Sequence, residues 1–258
     1  MQEAKNSLIA LSLKHKGDWN KIYRDLASHN MPEDCYFEKI SKLKCGVITM
    51  VDEAYPYQLR HVFKPPFVLY YYGDLSMLQE YKMNVSIVGS RKNSEYGQKI
   101  TEELVTGLTN NGYTIISGLA LGIDSIAHRS AINNKGKTVA ILGCGIDNFY
   151  LKTNEELYNL MKEHYLVISE YPEDTVPSPE YFPIRNRIIA GLSKTLIVTE
   201  AGHHSGSLIT ALLALQGNAD VMCVPYPAGQ CSECNRLIMS GACLVESMED
   251  VINQMSEF

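Results

Sequence analysis

The sequence predicts an α/β protein: an extended Rossmann-like, doubly wound and mostly parallel sheet with a small N-terminal helical domain. From residue 85 onward, short apolar runs rich in Val and Ile alternate with segments of helical length. These runs are apolar throughout, which is typical of parallel strands covered by helices on both faces. Right-handed crossovers between such strands produce a doubly wound sheet. The six runs are Val85–Val88, Tyr113–Ile116, Thr138–Leu142, Tyr165–Ile168, Thr195–Val198 and Val221–Val224.

Residues 1–45 are predicted to form the small helical domain, and residues 46–258 the Rossmann-like domain. Apolar residues recur at helical spacing over residues 3–14 and 19–28, and Asp18 is a suitable N-cap for the second of these helices. The larger domain is predicted to begin with a short strand at Val47–Thr49 and a β-segment at Phe67–Tyr72.

Composition restricts the class of protein. No apolar run is long enough to span a membrane and the N-terminus lacks the features of a signal peptide, so we expect a cytoplasmic protein without membrane contact. The seven cysteines are scattered and odd in number, which predicts reduced thiols. The net charge of −6 argues against indiscriminate coating of DNA. Residues 1–84 are nearly balanced in charge, so a nucleic-acid site in the acidic remainder requires locally concentrated cations.

The candidate site consists of the turns that follow the predicted strands, because ligands of doubly wound sheets bind at the carboxyl edge. Four of the first five turns pair small residues with a helix start, where backbone N–H groups and the helix dipole favour an anion. One such turn alone is explained as well by a tight glycine turn and a serine cap. Several at one edge predict a ligand crevice. The five turns are Gly89-Ser90-Arg91 and residues 117–124, 143–157, 169–193 and 199–215.

Four cations fall on this edge or on the loop beside it: Arg91, Lys152, Arg185 and Arg187. Solvated salt bridges are one interpretation of this set, and they would contribute little. Phosphate binding is the other, since the guanidinium fork matches phosphate oxygens. We expect the four to meet in a single hollow.

Common enzyme and cofactor signatures are missing from the sequence. Neither the dinucleotide fingerprint nor the Walker A motif occurs in these turns, and the serines around Ser205 do not form a nucleophile elbow. Asp124 is interpreted as a helix cap and His128 as a packed core residue. Cys231 and Cys234 have no regular second pair, which disfavours zinc. We therefore predict no catalytic residues, no cofactor and no metal.

The turns, taken in order, resemble those of the DNA-processing protein A family (DprA, also called Smf). The resemblance runs from about residue 52 to residue 245 and includes the stretches "IVGSRKNSEYG", "ISGLALGIDSIAH", "FPIRNRIIAGLS" and "VTEAGHHSGSLITALLAL". It implies a homodimeric single-stranded DNA-binding protein, not an enzyme, that protects incoming strands and loads the RecA recombinase during natural transformation. It also implies that the first 45 residues form a domain similar to a sterile alpha motif.

The resemblance also implies the residues that contact DNA. Arg91 and Lys152 match the family's phosphate-contacting cations, with Arg185 and Arg187 in the same pocket. Tyr150 or Phe182 is expected to stack on a base. The remaining predicted contacts are backbone and hydroxyl donors or neighbours of the cations: Gly89, Ser90, Ser94, Ser117, Gly118, Gly122, Asn186, Ser205, Gly206 and Ser207.

Two alternatives remain open at this point. The LOG-like nucleoside-monophosphate phosphoribohydrolases share this kind of fold, although the turn "EAGHHSGSLIT" lacks their consecutive glycines and following acid. A sensor of a small nucleotide is the second alternative, and it requires a pocket selective for one base.

Overall fold

A computed structural model of the chain describes residues 2–78, 80–149, 151–202, 205–230 and 232–256. Within these ranges, nine strands form a single sheet in the order β1-β2-β6-β5-β4-β3-β7-β8-β9. The strands are β1 (Gly46–Thr49), β2 (Val68–Tyr72), β3 (Asn84–Gly89), β4 (Thr114–Ser117), β5 (Thr138–Leu142), β6 (Leu166–Ser169), β7 (Thr195–Glu200), β8 (Asp220–Cys223) and β9 (Cys243–Leu244).

Ten helices accompany the sheet within the described ranges. They are α1 (Gln2–His15), α2 (Trp19–Ala27), α3 (Asp34–Ile40), α4 (Glu95–Asn110), α5 (Ile123–Asn133), α6 (Glu155–His164), α7 (Tyr181–Gly191), α8 (Gly206–Gln216), α9 (Ser232–Met239) and α10 (Met248–Ser256). None of the described helices has both the length and the apolar character needed to cross a membrane.

In the sheet order, all neighbours from β6 to β9 pair in parallel. At the other edge, β2 pairs antiparallel with both β1 and β6. The order reverses at β3, which lies between β4 and β7. Loops leaving the two sides of such a reversal diverge and leave a crevice at the carboxyl ends of the strands. The predicted fold class is therefore confirmed, and β3 marks the position of the crevice.

The interior strands bury both faces, which explains their continuous apolar sequence. Along β5, Val139 and Ile141 belong to one apolar cluster, whereas Ala140 and Leu142 belong to another on the opposite face. Successive strand residues point to opposite faces, so the alternation follows directly from strand geometry.

The N-terminal helices pack directly on the sheet. Leu8, Leu11 and Ile22 share an apolar cluster with Tyr70 of β2, and the Tyr70 hydroxyl donates to Ser12 Oγ at 3.0 Å. Asp18 accepts from the Lys21 amide at 3.1 Å and caps α2. The sequence did not predict α3, which has no buried residue and hence little apolar periodicity. The domain boundary near residue 45 remains a prediction.

Candidate nucleic-acid interface

A cavity of about 620 Å³ opens at the carboxyl end of β3, between the start of α5, α7 and the start of α8. Its wall brings together turns that are far apart in the sequence, as expected at a reversal of strand order. The lining residues are Val88, Gly89, Ser90, Arg91, Lys92, Ala120, Asp124, Pro179, Phe182, Pro183, Arg185, Asn186, Ile189, Gly202, Ser205, Gly206, Ser207, Ile209 and Thr210.

Arg91 is exposed in the turn after β3, and its guanidinium carbon lies 5.6 Å from the centroid of the Phe182 ring. A hydrogen bond to the start of α5 holds this turn in place, since the Ile123 amide donates to the Ser90 carbonyl oxygen at 3.1 Å. Gly122 makes this approach possible. Its φ is +76°, and a Cβ there would collide with the Ser90 carbonyl oxygen.

Arg185 is buried in the wall of the cavity. It donates from Nη1 to the carbonyl oxygens of Gly118, at 2.8 Å, and Ile141, which fixes the guanidinium against the ends of β4 and β5. Its Nε donates to Asn186 Oδ1 at 3.2 Å, and Asn186 in turn donates to the Gly206 carbonyl oxygen at 3.3 Å. These contacts join α7 to the first residue of α8.

The first turn of α8 also lines the cavity. Ser205 is the N-cap and accepts from the Ser207 amide at 3.4 Å, while its Oγ lies 2.7 Å from Ser207 Oγ. Ser205, Gly206 and Ser207 all line the cavity, so the positive end of the α8 dipole faces it. Such an end favours a phosphate group over a neutral one.

Asp124 is the acidic residue among the lining residues and is 7 % exposed. Its Oδ2 accepts from the amides of Gly118, at 3.1 Å, and Ala120, at 3.4 Å. Burial raises the pKa of Asp124, whereas Arg185, the two amides and Arg91 act in the opposite direction. The carboxylate therefore binds the turn after β4 in addition to its place in the first turn of α5.

Three predicted site residues have other partners. The Ser117 hydroxyl is buried and donates to the Ile87 carbonyl oxygen at 2.6 Å. Ser94 caps α4 and donates to Glu200 Oε2 at 3.0 Å. Gly118 lies beneath the Arg185 guanidinium and, like Gly122, supports the wall without lining it. None of these three residues lines the cavity.

The four predicted cations do not meet in one hollow. Arg91 and Arg185 line the cavity, but Arg187 is buried on another side of α7 and donates to both oxygens of Glu170, at 2.7 and 2.8 Å. The expectation that Arg187 shares the pocket is thus corrected. Side chains two positions apart on a helix differ by about 200° in direction. Applied to "FPIRNR", that spacing would have separated Arg185 from Arg187.

Lys152 is exposed outside the lining, although its segment reaches the site, because Asn154 Nδ2 donates to the Ala120 carbonyl oxygen at 3.3 Å. Tyr150 lies outside the described residues. Lys92, Asp124 and Thr210 line the cavity without having been predicted as site residues. Their positions in the sequence could have identified them. Lys92 follows Arg91, Asp124 lies in the first turn of α5, and Thr210 lies one turn beyond Gly206 on α8.

A family model described as DNA recombination-mediator protein A matches residues 46–256. This match covers most of the chain, including every described strand and the whole cavity wall. The chain belongs to the DNA recombination-mediator protein A family. Among its family relatives, the DNA processing protein DprA of Streptococcus pneumoniae is 43% identical over 206 residues, which is 79% of this chain and 72% of that protein. DprA of Bacillus subtilis is 36% identical over 218 residues, covering 82% and 72% respectively.

Solved structures of family members have the same fold. The X-ray structure of DprA from Streptococcus pneumoniae matches with a TM-score of 0.80 and 38% identity, covering 91% of this chain and 80% of that one. DNA processing protein A from Helicobacter pylori, solved to describe its single-stranded DNA binding mode, matches with a TM-score of 0.74 and 28% identity. That match covers 84% of this chain and 98% of the Helicobacter chain.

Proposed function

We propose that this protein binds single-stranded DNA in the cavity beyond β3, with the phosphates on Arg91 and the first turn of α8. The observation that carries the proposal is the position of Arg91, an exposed guanidinium that lines the same cavity as the α8 N-terminus in a chain of net charge −6. Membership of the family and the solved relative from Helicobacter pylori support it.

Arg91, Lys92 and Arg185 give the lining an excess of positive charge over Asp124. Arg185 already donates to two carbonyl oxygens and is buried, so we assign it a positioning and field role. Arg91 and Lys92 are exposed and provide the contacts to phosphate oxygens. Two such contacts give a moderate affinity that falls with salt.

Selectivity for single strands follows from the shape of the site. The lining mixes cations with Phe182, Pro183 and Ile189, which suits an unpaired base beside its own phosphate. A base inside a duplex is stacked and paired on both sides, so its entry would require unstacking at a cost of a few kcal/mol. We therefore assign Phe182 the stacking role.

The test is binding of labelled single-stranded and double-stranded oligonucleotides over a salt series, for the unaltered protein and for Arg91→Ala. We expect tighter binding of single strands, and a log–log salt slope reduced by about 0.7 in Arg91→Ala. Arg129→Ala is the matched control, because Arg129 is an exposed arginine of α5 outside the cavity lining. Its slope is expected to stay unchanged.

Equal affinity for duplex and single strand would contradict the proposed selectivity. A slope that changes as much in Arg129→Ala as in Arg91→Ala would contradict the assignment of the cavity, since the salt dependence would then come from overall charge.

We extend the proposal, on the basis of the family, to a cytoplasmic homodimer that protects incoming strands and loads the RecA recombinase in natural transformation. The family's description as a recombination mediator supports this role. Light scattering tests the dimer, and strand exchange by RecA on coated DNA tests the loading. We also propose that no catalytic step takes place, and incubation with nucleoside monophosphates, followed for free base, tests that statement.

A further inference from the structure

We infer that Asp124 makes the cavity selective for the base it receives, by accepting hydrogen bonds from a base edge rich in N–H groups, with guanine preferred and thymine disfavoured. This inference rests on the proposed function, because it concerns the base beside the bound phosphates. It adds a base preference to a site whose other contacts ignore sequence.

The first observation is that one carboxylate oxygen of Asp124 is available. Oδ2 accepts from the amides of Gly118 and Ala120, whereas Oδ1 accepts no hydrogen bond from any residue that the structure describes. Asp124 nevertheless lines the cavity, and Oδ1 is not among the fully buried polar atoms that lack a partner. Oδ1 is then the oxygen that a ligand in the cavity would reach.

The second observation is the charge around this oxygen. Burial raises the pKa of Asp124, whereas Arg185, the two backbone amides that donate to the carboxylate and Arg91 act in favour of its ionised form. An ionised carboxylate only accepts hydrogen bonds and repels both phosphate oxygens and carbonyl oxygens. In its ionised form, Asp124 therefore requires a donor from the group that approaches it.

The third observation is an aromatic ring in the same cavity. Phe182 lines the cavity together with Asp124, and its ring also faces the Arg91 guanidinium. A base that stacks on Phe182 would carry its phosphate toward Arg91 and present its edge to the interior of the cavity. The bases then differ in what they offer to Asp124.

Guanine presents N1–H and the N2 amino group side by side, so both can point at Oδ1. Adenine and cytosine present one amino group beside an acceptor nitrogen. Thymine flanks its N3–H with two carbonyl oxygens, which the carboxylate repels. A carboxylate accepting from a base is an established mode of readout, and one good contact discriminates by about tenfold or more.

The experiment uses oligonucleotides of about 12 dT residues, within the usual site size, with the central base as thymine, cytosine, adenine, guanine or hypoxanthine. We expect the guanine strand to bind about tenfold more tightly than all-dT, with adenine and cytosine between them. Hypoxanthine keeps N1–H but lacks the amino group, so its strand is expected to bind more weakly than the guanine strand.

Asp124→Asn is the decisive variant. The side-chain oxygen of Asn can still accept from Gly118 and Ala120, while its amide N–H groups turn to the cavity as donors. We expect the preference to reverse, with all-dT bound at least as tightly as the guanine strand. Arg91→Ala is the control, and it should weaken all five strands by the same factor.

Equal binding of the five strands by the unaltered protein would overturn this inference and leave the proposed function intact. A guanine preference that survives in Asp124→Asn would also overturn it. If Asp124→Asn does not fold, the test compares the guanine and hypoxanthine strands on the unaltered protein. Equal affinity for these two strands would overturn the inference. Absence of single-strand binding altogether would remove the proposed function itself.

Discussion

The Arg187 guanidinium donates two hydrogen bonds to the Glu170 carboxylate, at 2.7 and 2.8 Å, in a site where both side chains are about 95% buried. Arg187 Nε also donates to the Lys64 carbonyl oxygen at 2.9 Å. One arginine thus links α7, the residue after β6 and the loop before β2.

Removing this arginine is expected to destabilise the fold. Arg187→Ala leaves Glu170 buried without its partner, which costs about 3–5 kcal/mol in the free energy of unfolding. Urea denaturation measures it, with Arg129→Ala as the exposed control. The affinity of the folded fraction for single-stranded DNA should stay within twofold. A stable Arg187→Ala protein that has lost its affinity would instead place Arg187 at the DNA.

Phe182 is expected to contribute affinity without contributing sequence preference. Phe182→Ala removes the stacking surface and should weaken single-strand binding by about 1–3 kcal/mol. Phe182→Tyr keeps the ring and should bind normally, whereas Phe182→Leu fills similar space and should bind as weakly as Phe182→Ala. Fluorescence anisotropy separates the three, and normal binding by Phe182→Leu would argue against stacking.

Gly122→Ala is expected to damage both the fold and the site. The new Cβ meets the Ser90 carbonyl oxygen in addition to the strain at φ +76°, so the turn that carries Arg91 must move. We expect a loss of more than about 2 kcal/mol in stability, and weaker DNA binding. Gly112→Ala is the matched control, because φ is +81° there but the nearest atom is Met83 Cε at 3.8 Å.

Gly112→Ala should therefore lose about 1 kcal/mol and keep its DNA affinity. Equal loss of stability in the two glycine variants, measured by urea denaturation, would mean that the contact with Ser90 does not matter.

The buried His128 predicts a dependence of stability on pH. Its Nδ1 lies 2.7 Å from Thr138 Oγ1, and burial lowers its pKa to about 3. The unfolded chain takes up a proton below about pH 6.5 whereas the folded chain does not, so acid favours unfolding. Each pH unit between about 6.5 and 3 should cost up to about 1.4 kcal/mol. This contribution to stability is fully present above that window.

His128→Gln removes the titrating group and keeps a hydrogen-bonding side chain. The unfolding free energy of the variant, measured by urea denaturation at pH 7, 6 and 5, should fall less steeply with acid than that of the unaltered protein. Parallel curves for the two proteins would show that His128 is protonated equally in the folded and unfolded states.

Local patterns of the sequence predict much of the fold. Continuous apolar runs predicted the strands, and β5 begins and ends at the predicted residues Thr138 and Leu142. The turn after β3 was predicted from Gly89 and Arg91, and both line the cavity. A continuous apolar run and a glycine turn each occupy a few consecutive residues, so a sequence pattern is enough to locate them.

Sequence patterns did not predict the hydrogen-bond partners of two serine side chains. Ser117 and Ser94 were predicted to face DNA, yet they donate to Ile87 and Glu200 instead. Those acceptors lie 30 and 106 positions away along the chain. Nothing in the local sequence shows which acceptor a hydroxyl will meet once the strands are assembled.

By itself, the sequence determined the doubly wound sheet and the turn that carries Arg91, because hydrophobic periodicity and glycine turns act over short distances. Only the tertiary structure decided the separate roles of Arg185, Arg187 and Asp124. Arg185 and Arg187 point to different sides of α7. Arg185 donates to the carbonyl oxygens of Gly118 and Ile141, whereas Arg187 donates to the Glu170 carboxylate. Asp124 lines the cavity while its Oδ2 accepts from the amides of Gly118 and Ala120 in the turn after β4.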